Sequence, residues 1–223
     1  VVVLAATGAF LWGPSSLSAV SAACNPGRTP SSGHWWDGWI RGPGTAVGGT
    51  YATIDNYSSY VYGSSITAVY SLITDTGNGH YAQVGWYQQP SAGYRDVFTE
   101  YVNTSNQTIR NIWDYPAGSS DVYNVEYDPI SKITTFTVDG NQLQQVVVSY
   151  LPNQGEVLGE VLNFASQMVG GNDDPVSLSG TRIYYSGGWQ VFAGDAVNYD
   201  VHAYGNTVQN SGTDDIWDLA CSY

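Results

Sequence analysis

The sequence predicts an all-β protein, two antiparallel sheets packed as a sandwich of jelly-roll type, and three observations lead there. Short alternating segments recur along the chain, Gly- and Pro-based turn signals separate them, and no stretch sustains a 3.6-residue apolar period. In order the segments are 47–54, 66–73, 80–88, 95–102, 108–113, 121–127, 132–138, 143–150, 156–164, 181–186, 189–192, 197–204 and 215–219. Each is rich in the β-branched and aromatic residues that suit a pleated, half-buried surface. Breaks such as Thr76-Gly77-Asn78-Gly79, Pro116-Ala117-Gly118 and Asp139-Gly140 turn the chain between them. Residues 165–171, ASQMVGG, are the exception, either a loop or one helical turn. Strands at this spacing in about 200 residues fit one sandwich domain over 24–223, with enough chain to bury a real core.

The first 23 residues carry no charge and run from an apolar stretch through Gly13-Pro14 to Ser21-Ala22-Ala23. That is the apolar and cleavage region of a secretory signal peptide whose basic start is missing. The apolar run is too short to cross a bilayer. Secretion gives the two cysteines, Cys24 and Cys221, a role as a disulfide joining the ends of the mature chain. Acylation of Cys24 is the alternative, weakened by Ser21 where a branched aliphatic residue is expected. Acidic residues outnumber basic ones 19 to 6, and Lys132 is the only lysine. A net charge of −13 argues against nucleic acid and anionic membranes as partners, because both need clustered Lys and Arg. The expected protein is therefore extracellular, free of the membrane after cleavage, and monomeric.

No metal motif is present. His34, His80 and His202 are far apart, and neither HExxH, paired CxxC, an EF-hand loop nor a Gly-x-Ser-x-Gly elbow occurs. The acidic loops at Asp173-Asp174 and Asp214-Asp215 read as solvated rather than as Ca²⁺ sites. The informative positions lie on strands. In YAQVGW (81–86), Ala82, Val84 and Trp86 share a core face, which leaves Gln83 with Tyr81, Gly85 and Tyr87 on the other. Gln83 is there either an ordinary surface residue or the floor of a groove. In EVLGEVLNF (156–164), Glu156 and Glu160 share a face with Leu158 and Leu162, about 13 Å apart, so each carboxylate needs a partner from another strand. In RDVFTEYV (95–102), Asp96, Phe98 and Glu100 share a face.

Taken together, these segments resemble the glutamic peptidases of the eqolisin type, secreted β-sandwich enzymes active in acid. HWWDGWI (34–40) is similar to the family's Trp-Gly segment, YAQVGW to the strand of its catalytic glutamine, DVFTEYV to its D-x-x-x-E-aromatic pattern, and EVLGEVLNF to its strand with two glutamates four apart. The resemblance implies Gln83 and Glu160 as the catalytic pair. It implies Trp36 or Trp39, Tyr81, Asp96, Glu100 and Glu156 as residues around the substrate. Ionised Glu160 would take a proton from a water held opposite the Gln83 amide, which would steady the developing oxyanion, and no metal or cofactor is required. The substrate would be a polypeptide. The chain departs from the family after Glu160, where Val161-Leu162-Asn163-Phe164 replaces an acidic cluster, and before Gln83, where 68–73 replaces a W-V-G-I-x-G segment. More distantly it resembles neprosin-like glutamic peptidases, which use two glutamates.

Carbohydrate chemistry is the alternative. Eighteen tyrosines and eight tryptophans beside acidic groups suit sugar rings as well as peptides. YAQVGW and VFTEYV are also similar to segments of jelly-roll xylanases, with Glu100 and Glu160 as a retaining pair separated by about 5–5.5 Å. A non-catalytic lectin-like module for polysaccharide fits the same composition.

Overall fold

A computed structural model describes residues 24–90, 95–114, 118–192, 196–198, 203–209 and 212–221; the expected leader, residues 1–23, and His202 lie outside them. The strands are β1 (Ser32–Arg41), β2 (Val47–Asp55), β3 (Thr67–Asp75), β4 (His80–Gln88), β5 (Asp96–Val102), β6 (Thr108–Trp113), β7 (Ser120–Asp128) and β8 (Ile133–Val138). They continue as β9 (Asn141–Val147), β10 (Gln154–Asn163), β11 (Val176–Tyr185), β12 (Gly188–Val191), β13 (Ala196–Asn198), β14 (Tyr204–Gln209) and β15 (Thr213–Asp218). One sheet runs β13-β1-β10-β3-β4-β5-β6; the other runs β14-β15-β11-β2-β7-β8-β9, with β12 added beside β11. Every ladder between these strands is antiparallel, and the two sheets face each other as the predicted sandwich.

The period-2 pattern decides which residues meet between the sheets. Val157 and Val161 of β10, Val69 and Ile73 of β3, and Ala82, Val84 and Trp86 of β4 point inward. They pack against Ala52 and Ile54 of β2, Tyr123 and Val125 of β7, and Leu178 and Ile183 of β11. A second, smaller cluster lies on the outer face of the first sheet, with Ala68, Tyr70, Leu72, Tyr87, Phe98 and Leu158 at its centre. Two strands escape the sequence pattern for physical reasons. β1 hides its alternation because its inward positions are Asp37 and Trp39, both fully buried, and an inward carboxylate breaks the apolar code. β14, YGNTVQ, has a glycine and an asparagine where strand formers are expected.

Residues 165–171 form a turn and bend without a helix. Gln167 organises them from a buried position. Its Oε1 accepts from the backbone N–H groups of Cys24 and Tyr60, and its Nε2 donates to the Tyr57 hydroxyl. The Cys24–Cys221 disulfide joins the two ends across 197 residues, with 5.6 Å between Cα atoms, as expected from the cysteine count. Beside it Arg28 holds the buried Asp218 in a bidentate ion pair.

Asp37 and Asp214 place two fully buried carboxyl groups where β1 meets β15. Asn206 donates to Asp37 at 2.9 Å, whereas neither carboxyl oxygen of Asp214 has a hydrogen-bond partner among the described residues. Burial first, and then the proximity of Asp214, pushes Asp37 up to about 8; burial, and then Asp215, pushes Asp214 up to about 7. A folded-state value above the unfolded one means that the native state binds more protons between those values, so stability falls as pH rises. The contribution is complete below about pH 4 and is lost as pH passes through about 7 to 8. We therefore expect the melting temperature to fall by on the order of 5–10 °C between pH 4 and pH 8. Asp214→Asn should flatten that slope, and melting curves followed by circular dichroism check it. A wild-type protein equally stable at both pH values would refute the assignment.

Candidate active site

The outer face of the first sheet carries a row of polar side chains that the pleat brings into line. Across five strands, Glu156 of β10 pairs with Leu72 of β3, Leu72 with Gln83 of β4, Gln83 with Glu100 of β5, and Glu100 with Arg110 of β6. The next row on this face is Leu158, Tyr70, Gly85 and Phe98, and the one after it Glu160, Ala68, Tyr87 and Asp96. Gly85 has a steric reason: a Cβ there would lie 1.9 Å from the Val69 carbonyl oxygen and 2.8 Å from the Tyr70 Cβ. Without a side chain at that point β3 and β4 close up, and Tyr70 stands next to an empty position.

A cavity of about 240 Å³ opens over these rows. Gln83, Glu100, Glu160, Tyr70, Tyr81 and His34 line it together with Arg110 and the apolar Leu72 and Leu162. At one end Glu100, buried, is surrounded by donors. Arg110 Nε donates to its Oε2, and Tyr81 Oη and Gln83 Nε2 donate to its Oε1 at 2.6 and 3.1 Å. A carboxylate accepts and cannot donate, so the Gln83 amide must present its NH₂ to Glu100. That fixes the amide plane and leaves its carbonyl and its second N–H for whatever enters the cavity. Burial, and then the hydrogen bond to Glu100, push the Tyr81 phenol up, so it remains a donor.

At the other end stands Glu160. Its Oε1 meets His34 Nδ1 at 2.6 Å, and Tyr70 lines the cavity with it. His34 is raised above its ordinary value chiefly by that bond, against partial burial, which favours its imidazolium form. Tyr70 is raised by burial and by Glu160 and Glu156. On an ideal pleat two strands and four residues put the Cα atoms of Gln83 and Glu160 about 16 Å apart. Tyr70 lies on the same face between their rows; Gln83 presents its amide to Glu100 of β5 and Glu160 its carboxylate to His34 of β1, so the two occupy opposite ends of one cavity.

The residues expected from the sequence divide accordingly. Gln83, Glu160, Glu100 and Tyr81 line one cavity. Glu156 lies on the same face, takes a hydrogen bond from Gln154 at 2.7 Å, and is raised by burial and then by Glu160. Trp36 packs against the outer cluster, and Asp96, half-buried, occupies the Glu160 row without lining the cavity. Trp39 is the correction. It is fully buried in the core against Phe192, because alternation along β1 turns 37 and 39 inward, so of the two tryptophans only Trp36 faces the groove side. Three cavity residues escaped the sequence reading: His34, Tyr70 and Arg110. Alternation from Ala68 and Leu72 would have found Tyr70, but nothing local marks His34 or Arg110, whose partners come from β10 and β5.

Glu100 and Glu160 are three strands and four residues apart, about 19 Å between Cα atoms on an ideal pleat. Glu100 is turned toward Arg110 and away from Glu160. That is far from the roughly 5–5.5 Å between carboxyl groups that a retaining glycosidase pair needs. Among the described residues no cluster of three or more His, Cys, Asp or Glu is arranged to hold a metal ion.

No protein-family model and no curated protein sequence matches the chain. Among solved structures, the crystal structure of scytalido-glutamic peptidase with a transition state analog inhibitor is similar at TM-score 0.65 and 14% identity, over 86% of this chain and 100% of that one. A Bacillus licheniformis beta-glucanase is similar at TM-score 0.37 and 14% identity, over 53% of this chain and 54% of its own. The Ruminococcus gnavus IT-sialidase CBM40 bound to alpha2,3 sialyllactose is similar at TM-score 0.34 and 11% identity, over 85% and 89%. The chain has a glutamic-peptidase-like fold: an antiparallel sandwich with its polar row on the outer face of one sheet.

Proposed function

We propose that this chain is a secreted, acid-acting glutamic endopeptidase that works as a monomer and without a metal. The observation that carries the reading is that Glu160 and Gln83 line one cavity, each held by its own partner. The match in fold to a glutamic peptidase supports it. The disulfide between the ends of the described chain supports the extracellular setting, because such bonds persist in oxidising compartments.

In this reading a polypeptide lies along the outer face, with Trp36 and Tyr81 contributing aromatic walls. Ionised Glu160 takes a proton from a water in the cavity as that water attacks the scissile carbonyl carbon. The free N–H of Gln83 donates to the oxyanion that develops, and the network around Glu100 keeps the amide from turning. His34 hydrogen-bonds Glu160 and orients its carboxyl group. Protonated Glu160 then returns the proton to the leaving amine, which closes the cycle.

Digestion of a denatured protein between pH 2 and pH 7, with pepstatin and a chelator present, tests the reading. Cleavage confined to acid and insensitive to both inhibitors is expected, with Glu160→Gln reducing kcat by at least about 10²-fold. A correctly folded wild-type sample that cleaves nothing would overturn it.

His34 supplies a second test. Its bond to Glu160 Oε1 orients the carboxyl group from β1, so His34→Ala should lower kcat by up to about 10²-fold and change KM less. Unchanged kcat in a folded variant would remove His34 from the orientation of Glu160.

Glu100 is held by Arg110, whose loss leaves a buried carboxylate short of its charge partner. Arg110→Ala should lower kcat more than it raises KM, through disorder of the Gln83 amide; equal activity in a folded variant would count against the orienting role.

A further inference from the structure

The second sheet also has an outer face, and on it lies a concave site of about 440 Å³ lined by Tyr51 and Thr53 of β2, Asn124 and Glu126 of β7, Gly180 and Arg182 of β11, and Trp189 of β12. Its floor is one ladder row, in which Arg182 pairs with Tyr51 and Tyr51 with Asn124. Its wall is built by Trp189. The indole starts beside Tyr184, reaches across β11, and comes so close to Gly49 that a Cβ there would lie 3.1 Å from its ring tip. Tyr51 and Tyr184 brace it edge-on, with ring centroids 6.3 and 5.6 Å away. It nevertheless remains 38% exposed. The strand register slips between Ser179 and Arg182, and Gly180 at φ 59° opens the far side.

The charges at this site do not neutralise each other in the way that charges elsewhere do. Of the five arginines, Arg28 pairs with Asp218, Arg110 with Glu100, Arg41 lies over the Tyr185 ring and Arg95 over Trp86. The Arg182 guanidinium has no hydrogen-bond, ion-pair or ring partner among the described residues, although the chain carries a net charge of −13. Glu126 takes one hydrogen bond, from Asn124 Nδ2 at 2.8 Å, and is otherwise exposed. An anion would meet Glu126, a cation would meet Arg182, and an apolar ligand would strip water from both without replacing it. A polyhydroxyl ligand suits both, because each hydroxyl can accept from Arg182 and donate to Glu126 while the ring's C–H face rests on Tyr51 and Trp189. Arg182 and Asn124 flank Tyr51 at about 10 Å between Cα atoms, wide enough for one pyranose ring.

We propose that this face is a carbohydrate-binding site for a neutral pyranose unit of a polysaccharide, separate from the cavity of the first sheet. Its function is to hold the protein on a glycan-rich surface while the other face remains open, and it stands whether or not the peptidase reading does.

Affinity electrophoresis of the full chain tests it, in gels containing soluble β-glucan, arabinoxylan, galactomannan or polygalacturonate, with mobility normalised to a gel without polysaccharide. Retardation by at least one neutral polymer is expected, weakened at least roughly tenfold by Trp189→Ala and by Arg182→Ala, and unchanged by Glu160→Gln. Because Arg182 is exposed and has no partner among the described residues, Arg182→Ala keeps the test decisive if Trp189→Ala does not fold. Acid proteolysis should be the same in Arg182→Ala as in the wild type. No retardation by any neutral polymer, retardation that survives both substitutions, or retardation by polygalacturonate alone would overturn the proposal. Loss of retardation in Glu160→Gln would overturn it too, by placing the glycan in the other cavity.

Discussion

Everything functional on the first sheet depends on one constraint, the register of β10, β3, β4 and β5. In a pleated strand a slip of one residue exchanges its two faces, so Val157, Val69, Val84 and Val97 can lie in the core only if Glu156, Tyr70, Gln83 and Glu100 lie outside it. Packing of the apolar face therefore positions the polar one. The hydrophobic gain between the sheets is what stabilises a row of amide, carboxylate and guanidinium that has no strong reason of its own to assemble. Once aligned, the row satisfies itself. Gln83 and Arg110 both serve Glu100, which would be costly to bury alone.

Charge ties folding to the conditions in which the site would work. Asp37, Asp214, Asp218, Asp55 and Glu156 are all raised by burial, and His34 is raised by its bond to Glu160. Each of these shifts has the same sign: the native state holds its protons more tightly than the unfolded chain, so each favours the fold in acid. Asp128 opposes them, its carboxylate lowered by Ser131 at an exposed turn. Asp37, Asp214 and Asp218 outweigh it because they are fully buried, where water cannot screen them. A molecule with buried carboxyls and a net charge of −13 overall gains from acid twice, through those protons and through reduced repulsion.

The sandwich was legible in the sequence because its inward residues alternate cleanly, and of the site's strands β3, β4, β5, β6 and β10 were read within a residue or two, whereas β1 was not. YAQVGW placed Gln83 on the outer face, and EVLGEVLNF placed Glu156 and Glu160 together. What stayed hidden was whatever depends on pairing between distant strands. His34 and Glu160 are 126 residues apart, and Arg110 meets Glu100 through a ladder that no local pattern specifies. Trp39 misled for the same reason. Its neighbour Asp37 reads as surface and turns inward, so the face of β1 was ambiguous until its partners were known. Chain ends were easier, since two cysteines leave one possible pairing.

Two glycines show how the same device serves both outer faces. Gly85 sits opposite Tyr70, and Gly49 lies under the Trp189 indole. Glycine is poor in a strand interior, where it forfeits packing and costs conformational entropy. At Gly49 the missing side chain makes room for the Trp189 ring, and at Gly85 it lets the β3 backbone close up beside Tyr70. In one case the tyrosine lines a cavity with Glu160; in the other the indole forms a wall beside Arg182. A flat sheet face offers a ligand little to enter. Removing one Cβ and letting a neighbouring ring define the edge produces a cavity without disturbing the core behind it. A sandwich can therefore carry two separate sites back to back, because the apolar layer that divides them is indifferent to what either face binds.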